Sequence, residues 1–331
     1  MEKHELSRTS GRRSGQATEF GFHSTALDVV RNVDLTGFQV VLTGASSGIG
    51  IETARALAKA GAHLVLGVRN VTKAQIALQD ISVAHGNSVS VEWLDLSDLH
   101  SVIEFADKVT GPIDILIANG GVSKTPESHL ANGLDVRFAT NHLGHFLLAH
   151  RLKRQLAQRG ARIVVVSSAG HKGMPVRMDD LQWQARPHID GAAYAESKSA
   201  NILFAQEATR RWGEQQIFAN AVLPGSSLTG LQRYHSEALK RQIGFINPDG
   251  SINDRVKSAG QAAATSVWAA TATELAGKGG LVLEDCAEAL PVGPHTHPWA
   301  GFDASVADPE TALILWDHSL ELVHQLAGQR L

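Results

Sequence analysis

Val40-Val41-Leu42-Thr43-Gly44-Ala45-Ser46-Ser47-Gly48-Ile49-Gly50 decides how the rest of the chain is read. An apolar run ends in a cluster of glycines, and a helical pattern over 52–60 follows, closed by Gly61. The stretch is therefore a strand, a tight turn and the start of a helix. Glycines in such a turn let the backbone approach a pyrophosphate, and the helix N-terminus offers unpaired N–H groups with a partial positive charge. Strand and helix patterns alternate from Gln39 onward, which predicts βαβ units on a parallel sheet. Strands are expected at 39–42, 63–68, 90–94, 113–118, 162–166, 218–223 and 280–283. Helices are expected at 49–60, 72–85, 99–109, 133–158, 194–213 and 258–272. No repeat and no linker interrupts this block, so the expected fold is α/β, one doubly wound domain over 24–331 with a seven-stranded parallel sheet flanked by helices. Residues 24–33 suggest a short leading helix capped by Ser24 or Thr25. At the other end, Asp308-Pro309-Glu310 opens an amphipathic helix over 311–326. Residues 1–23 read as a disordered tail.

A second stretch carries chemistry. Tyr194-Ala195-Glu196-Ser197-Lys198 puts a phenol and an ammonium one helical turn apart. An unperturbed tyrosine titrates at about 10, so proton transfer near neutrality calls for a neighbouring positive charge. Lys198 is placed to supply it.

Composition narrows the function classes. An apolar content of 43% with few aromatics suits a core of Ala, Val and Leu, and 331 residues suffice for one large domain. A net charge of -3 lacks the broad basic surface that nucleic-acid phosphates require. The single cysteine, Cys286, excludes an internal disulfide and fits a reducing compartment, so a cytoplasmic location is expected. No apolar run reaches the roughly 18 residues of a membrane span, and the first twenty positions are polar and basic, so neither a span nor a secretory signal is expected. His295 and His297, two apart beside prolines, read as loop residues, and no metal is expected.

The pairing of TGxxxGxG at Thr43 to Gly50 with YxxSK at Tyr194 to Lys198 resembles the classical short-chain dehydrogenase/reductase family. The likeness is to the branch of retinol dehydrogenases and WW-domain-containing oxidoreductases. It is carried further by Asp34-Leu35-Thr36-Gly37, Asn141-His142-Leu143-Gly144-His145-Phe146 and Asn201-Ile202-Leu203-Phe204, and runs over roughly 24–325. The resemblance implies a Rossmann fold and a nicotinamide dinucleotide beyond the carboxyl ends of the strands. Gly44, Gly48, Ile49 and Gly50 would lie under the pyrophosphate, with Ser46 and Ser47 either phosphate donors or plain turn formers. After the second strand Val68 stands where an NAD enzyme places an acid, and Arg69 follows, which reads as NADP(H) preferred over NAD(H). Many NADP enzymes of the family also carry a basic residue inside the glycine turn, where this chain has Ser47. Asp95, followed by Leu96, would accept from the adenine amino group or cap a turn. Asn119-Gly120-Gly121 replaces the family's Asn-Ala-Gly, with Asn119 bracing the sheet and Gly120 leaving room for the ribose. Pro224-Gly225 and Thr229 match a PGxxxT turn that meets the nicotinamide carboxamide and the phosphates.

Asn141, Ser168, Tyr194 and Lys198 match the family's catalytic tetrad. By that likeness Ser168 would hold the substrate oxygen and Tyr194 would exchange a proton with it. Lys198 would lower the Tyr194 pKa and hold the ribose hydroxyls, and Asn141 would hold a water linking Lys198 to solvent. His142 and His145 have no chemical role in the family. Tyr194 follows Ser168 at about twice the spacing of compact members, so loops near 171–192 and 226–256 should cover the site. Met174, Met178, Trp183, Leu231, Tyr234, Ile243 and Phe245 suit a lipophilic wall. The expected function is an NADP(H)-dependent oxidoreductase acting on a lipophilic secondary alcohol, ketone or aldehyde. The alternatives are a non-turnover NADP-binding scaffold or regulator, and an epimerase or dehydratase using the same Tyr and Lys. The family's pairing of its fourth and fifth helices leaves a homodimer or homotetramer open.

Overall fold

The computed structural model describes residues 19–81 and 87–328. Most of the expected disordered tail lies outside them, but 19–23 do not fit that reading. Phe20 packs against the core and the Phe22 ring lies 4.8 Å from Lys257 Nζ, so two aromatic anchors seat the approach to the first helix.

That helix, α1 (Ala26–Val29), starts in a capping box between Thr25 and Asp28. β1 (Gln39–Thr43), α2 (Gly48–Lys59), β2 (His63–Val68), α3 (Val71–Ala77), β3 (Val89–Trp93), α4 (Leu99–Lys108) and β4 (Ile115–Ala118) follow in strict alternation. A π-helical turn (Phe138–Leu143) then leads into α5 (Gly144–Arg151), α6 (Lys153–Leu156) and β5 (Ala161–Val166). α7 (Asp190–Trp212), β6 (Ile217–Leu223), α8 (Glu237–Gln242), α9 (Ala259–Thr271), β7 (Val282–Glu284), β8 (Ala287–Glu288) and α10 (Pro309–Ala327) complete the described chain.

The sheet order is β3-β2-β1-β4-β5-β6-β7-β8, with the first seven strands parallel and β8 antiparallel on β7. This doubly wound order is the Rossmann arrangement. Its eighth strand corrects the expected seven: it is two residues long and follows a turn at Asp285-Cys286, both at positive φ, so no periodicity announces it. Both faces of the sheet are buried, as parallel strands require. Val40 and Leu42 pack with α1, α2 and α9 on one face, while Val41 packs with α4, α5, α7 and α10 on the other.

Two helices differ from expectation. The one expected over 133–158 is broken: His129 bridges Asp135 as a strand pair, the chain passes through the π turn, and Leu152 separates α5 from α6. The one expected over 72–85 is regular only to Ala77, and its expected end falls outside the described residues.

Candidate active site

Strand order reverses between β1 and β4, and there the segments that leave the two strands turn apart and open a crevice. The Thr43 hydroxyl accepts from the N–H groups of Asn119 (3.0 Å) and Gly120 (2.9 Å). With its acceptor sites filled it donates to His145 Nε2 at 2.8 Å, which leaves Nδ1 to donate to the Asn141 carbonyl at 3.0 Å. Burial pushes His145 down to about 4, against the pull of that carbonyl bond, so the ring is neutral. Asn119 Nδ2 closes the corner on the Thr43 carbonyl at 2.8 Å. The chain leaves β1 at Gly44, φ +76, where a Cβ would lie 2.7 Å from Gly120 Cα. Gly48, φ +58, is held open by Thr229, whose Cβ would be 2.8 Å from an added Cβ.

Asp98, Ser258 and Asp308 cap α4, α9 and α10 with their side chains, whereas Ser47 makes no such bond at the start of α2 and no acid stands in its first turn. The cavity running from this turn to Tyr194 is lined by Arg69, Lys198 and Arg233 and by no Asp or Glu. An uncapped helix start in a cavity that holds two exposed arginines and no acid suits an anion.

Most of the residues selected from the sequence meet here. Gly44, Ser46, Ser47, Ile49 and Gly50 line the cavity, as do Leu96, Asn119, Gly120, Gly121, Pro224, Thr229, Tyr194 and Lys198. Arg69 stands exposed beyond β2 with no carboxylate paired to it. Asp95 is not in the lining: its Oδ1 accepts from the Ser97 N–H (2.9 Å) and hydroxyl (2.7 Å), the turn-capping alternative. Gly225, φ +82, lies beneath the cavity, where Lys257 packs on it and pairs with Asp285 at 2.5 Å. Of the expected lipophilic wall only Leu231 lines the cavity. Met178 packs against the main core, Trp183 is buried 3.6 Å under the Arg186 guanidinium, and Phe245 stacks edge-on against Trp299.

At the far end, Ser167 and Ser168 divide the work at the close of β5. Ser167 donates to the Lys198 carbonyl at 2.7 Å and ties β5 to α7, while the Ser168 hydroxyl accepts from the Gly170 N–H at 3.1 Å and stands beside the Tyr194 phenol. Burial raises Tyr194 above 10, the Ser168 hydroxyl opposing it. Lys198 Nζ lies 5.8 Å from the Tyr194 ring centroid and donates to the Val166 carbonyl at 2.9 Å. Burial pushes Lys198 down to about 7. The expected lowering of the phenol by Lys198 is thus corrected: both groups are desolvated, and the ammonium is turned to a carbonyl. The Asn141 side chain is held from two sides. Its Oδ1 accepts from Val122 N–H (2.8 Å) and its Nδ2 donates to Val122 O and Ser197 Oγ (both 2.9 Å), so the side chain braces the β4 turn against the Tyr194 turn. That brace starts from the π turn, a local feature frequent at functional sites.

The family model described as short chain dehydrogenase matches 39–180. The short-chain dehydrogenase/reductase prx1 of Penicillium rubens is 35% identical over 312 residues, covering 90% of each chain. The chain belongs to the short-chain dehydrogenase/reductase family. A Streptomyces lividans member named "Probable oxidoreductase" is 41% identical over 293 residues, 87% of this chain and 98% of its own. Human retinol dehydrogenase 13, another member, is 34% identical over 297 residues, 87% of this chain and 85% of its own. As a member of this family the protein is an oxidoreductase. Among the described residues no helix is long and apolar enough to cross a membrane.

Sequence reading missed three residues of this site. Arg233 joins the lining, His145 links the glycine turn to Asn141, and Lys257 supports Gly225. His145 follows Asn141 by one helical turn and Arg233 follows Thr229 by four residues, but the contacts that join them to Thr43 and to the glycine turn cross the fold, as does that of Lys257 with Gly225.

Proposed function

We propose that the protein is an NADP(H)-dependent reductase or dehydrogenase of lipophilic ketones, aldehydes or secondary alcohols. Asn141, Ser168, Tyr194 and Lys198 form its catalytic group. The observation that carries the reading is the Ser168 to Tyr194 hydroxyl contact beside Lys198, at the end of a cavity lined by cations and no acid. Bound there, the nicotinamide supplies or takes the hydride. Ser168 holds the substrate oxygen by a hydrogen bond, and Tyr194 gives that oxygen its proton in reduction. A phenol raised above 10 is protonated at neutral pH, the form that gives a proton to a carbonyl oxygen. Lys198 holds the ribose hydroxyls, and Asn141 keeps the Tyr194 turn in register.

Arg69, with Val68 in place of an acid, supports a 2′-phosphate and so NADP(H) over NAD(H). The glycine turn, Leu96, the Asn119 to Gly121 turn, Pro224 and Thr229 hold the remainder of the dinucleotide, with Asp95 and Gly225 shaping its turns. The loops 171–192 and 226–256 cover the substrate. Leu231 and Val122 on the cavity wall, together with the likeness to retinol dehydrogenase 13, support a lipophilic molecule. The test is a screen of ketones and aldehydes of graded size and lipophilicity, followed by loss of NADPH absorbance. Turnover should rise with lipophilicity and exceed that with NADH. Tight NADPH binding with no carbonyl turned over would instead identify a scaffold.

A further inference from the structure

We infer that Arg233 is a cofactor-binding residue, a cation carried on the loop 226–256 that grips the diphosphate and holds that loop down on the glycine turn. The inference rests on the dinucleotide reading above. Three observations place the residue. First, the loop is seated on the turn: a Cβ on Gly48 would lie 2.8 Å from Thr229 Cβ, and one on Gly230 would lie 3.2 Å from Ser47 Oγ. Second, Arg233 is fixed beside that seat. Thr229 caps the 3-10 turn Gly230–Gln232 in a capping box, and Arg233 NH1 donates back to the Gly230 carbonyl at 2.9 Å, so the guanidinium cannot swing far from Ser47. Third, its charge is uncommitted. Of the fifteen arginines among the described residues ten pair with carboxylates, and Arg69 and Arg233, the two that line this cavity, are among the five that do not; the Arg233 guanidinium has the Tyr234 ring beside it, 5.0 Å to the centroid.

The two arginines stand over different parts of a dinucleotide. Arg69 follows β2, the strand end nearest the adenosine ribose in this fold, whereas Arg233 is tied through Gly230 and Thr229 to Ser47 and Gly48, under the diphosphate. A guanidinium matches phosphate oxygens in a two-pronged geometry, and the diphosphate is common to NADPH and NADH. Arg233 therefore contributes affinity without choosing between them.

The experiment is a fluorescence or calorimetric titration of the full chain with NADPH, NADH, ADP-ribose and adenosine 2′-monophosphate, comparing the parent with Arg233→Ala and Arg69→Ala. Arg233→Ala should weaken NADPH, NADH and ADP-ribose alike, by about ten- to hundredfold, and leave adenosine 2′-monophosphate unchanged. NADPH should protect the loop 226–256 from proteolysis in the parent and less so in Arg233→Ala. Arg69→Ala should weaken NADPH and adenosine 2′-monophosphate only. Unchanged affinities in Arg233→Ala, or a loss confined to NADPH, overturns the assignment while leaving the dinucleotide site standing. A parent that binds none of the four probes overturns both. Circular dichroism of the unliganded variants checks for misfolding, since Arg233 is exposed and its contacts, with the Gly230 carbonyl and the Tyr234 ring, are local.

Discussion

Lys198 shares the Val166 carbonyl with Asn201, their nitrogens standing 2.9 and 3.0 Å from it. Burial lowers the ammonium to about 7, so in the unliganded protein a proton that the unfolded chain holds up to about 10.5 is given up in the folded one. Between those two values the unfolded state binds more protons, and stability rises with pH. Lys198→Met removes this dependence. The urea midpoint of the parent should climb between pH 7 and pH 9.5, whereas that of the variant should start higher and stay flatter. Parallel curves would contradict the burial argument. Much of the residue-scale layout of the site was legible in the sequence, because a glycine turn and a Tyr-Lys pair select their residue types by geometry and charge. Where Lys198 points was not. Its partner Val166 lies far away in sequence, and a carbonyl leaves no mark in residue identity. The same holds for His145, which looked like a spare helix-face residue and proves to join Thr43 to Asn141.

At the scale of elements, α10 shows what local rules can and cannot reveal. Asp308 accepts from Thr311 N–H at 2.8 Å and Pro309 follows, so the start read from the sequence is the one found. Where the helix docks is set by aromatic packing. Trp316, almost fully buried, has Phe146 of α5 at 5.0 Å, Trp212 and Phe204 of α7 at 5.2 and 5.9 Å, and His150 at 4.9 Å between ring centroids. Trp316→Ala should cost about 3–5 kcal/mol of stability, read as a drop in the urea midpoint. A loss under about 1 kcal/mol would mean that α10 is loosely held. The helices expected fourth and fifth, which the family pairs between subunits, are thus covered on one face by this chain's own C-terminal helix. The π turn before α5 was invisible to periodicity, since every residue from 138 to 149 is buried and no apolar stripe is left to show a change of pitch.

Across the whole molecule, seven parallel strands were expected and found in place, because a sheet buried on both faces writes itself as short apolar runs bounded by glycine, asparagine and aspartate. The closing β8 and the path of the loops over the site were not legible. They depend on contacts such as Thr229 on Gly48 and Lys257 on Gly225, which join segments remote in the chain. What the assembled fold brings together is a buried phenol, a serine hydroxyl and a desolvated lysine at one end of a cation-lined cavity. The most direct test of that chemistry is the rate of NADPH oxidation by Tyr194→Phe at saturating cofactor, with a lipophilic carbonyl that the parent reduces. The phenyl ring fills the same space and loses only the hydroxyl. The account predicts NADPH bound as tightly as by the parent and turnover lower by ~10²–10⁴; equal rates in variant and parent would contradict it.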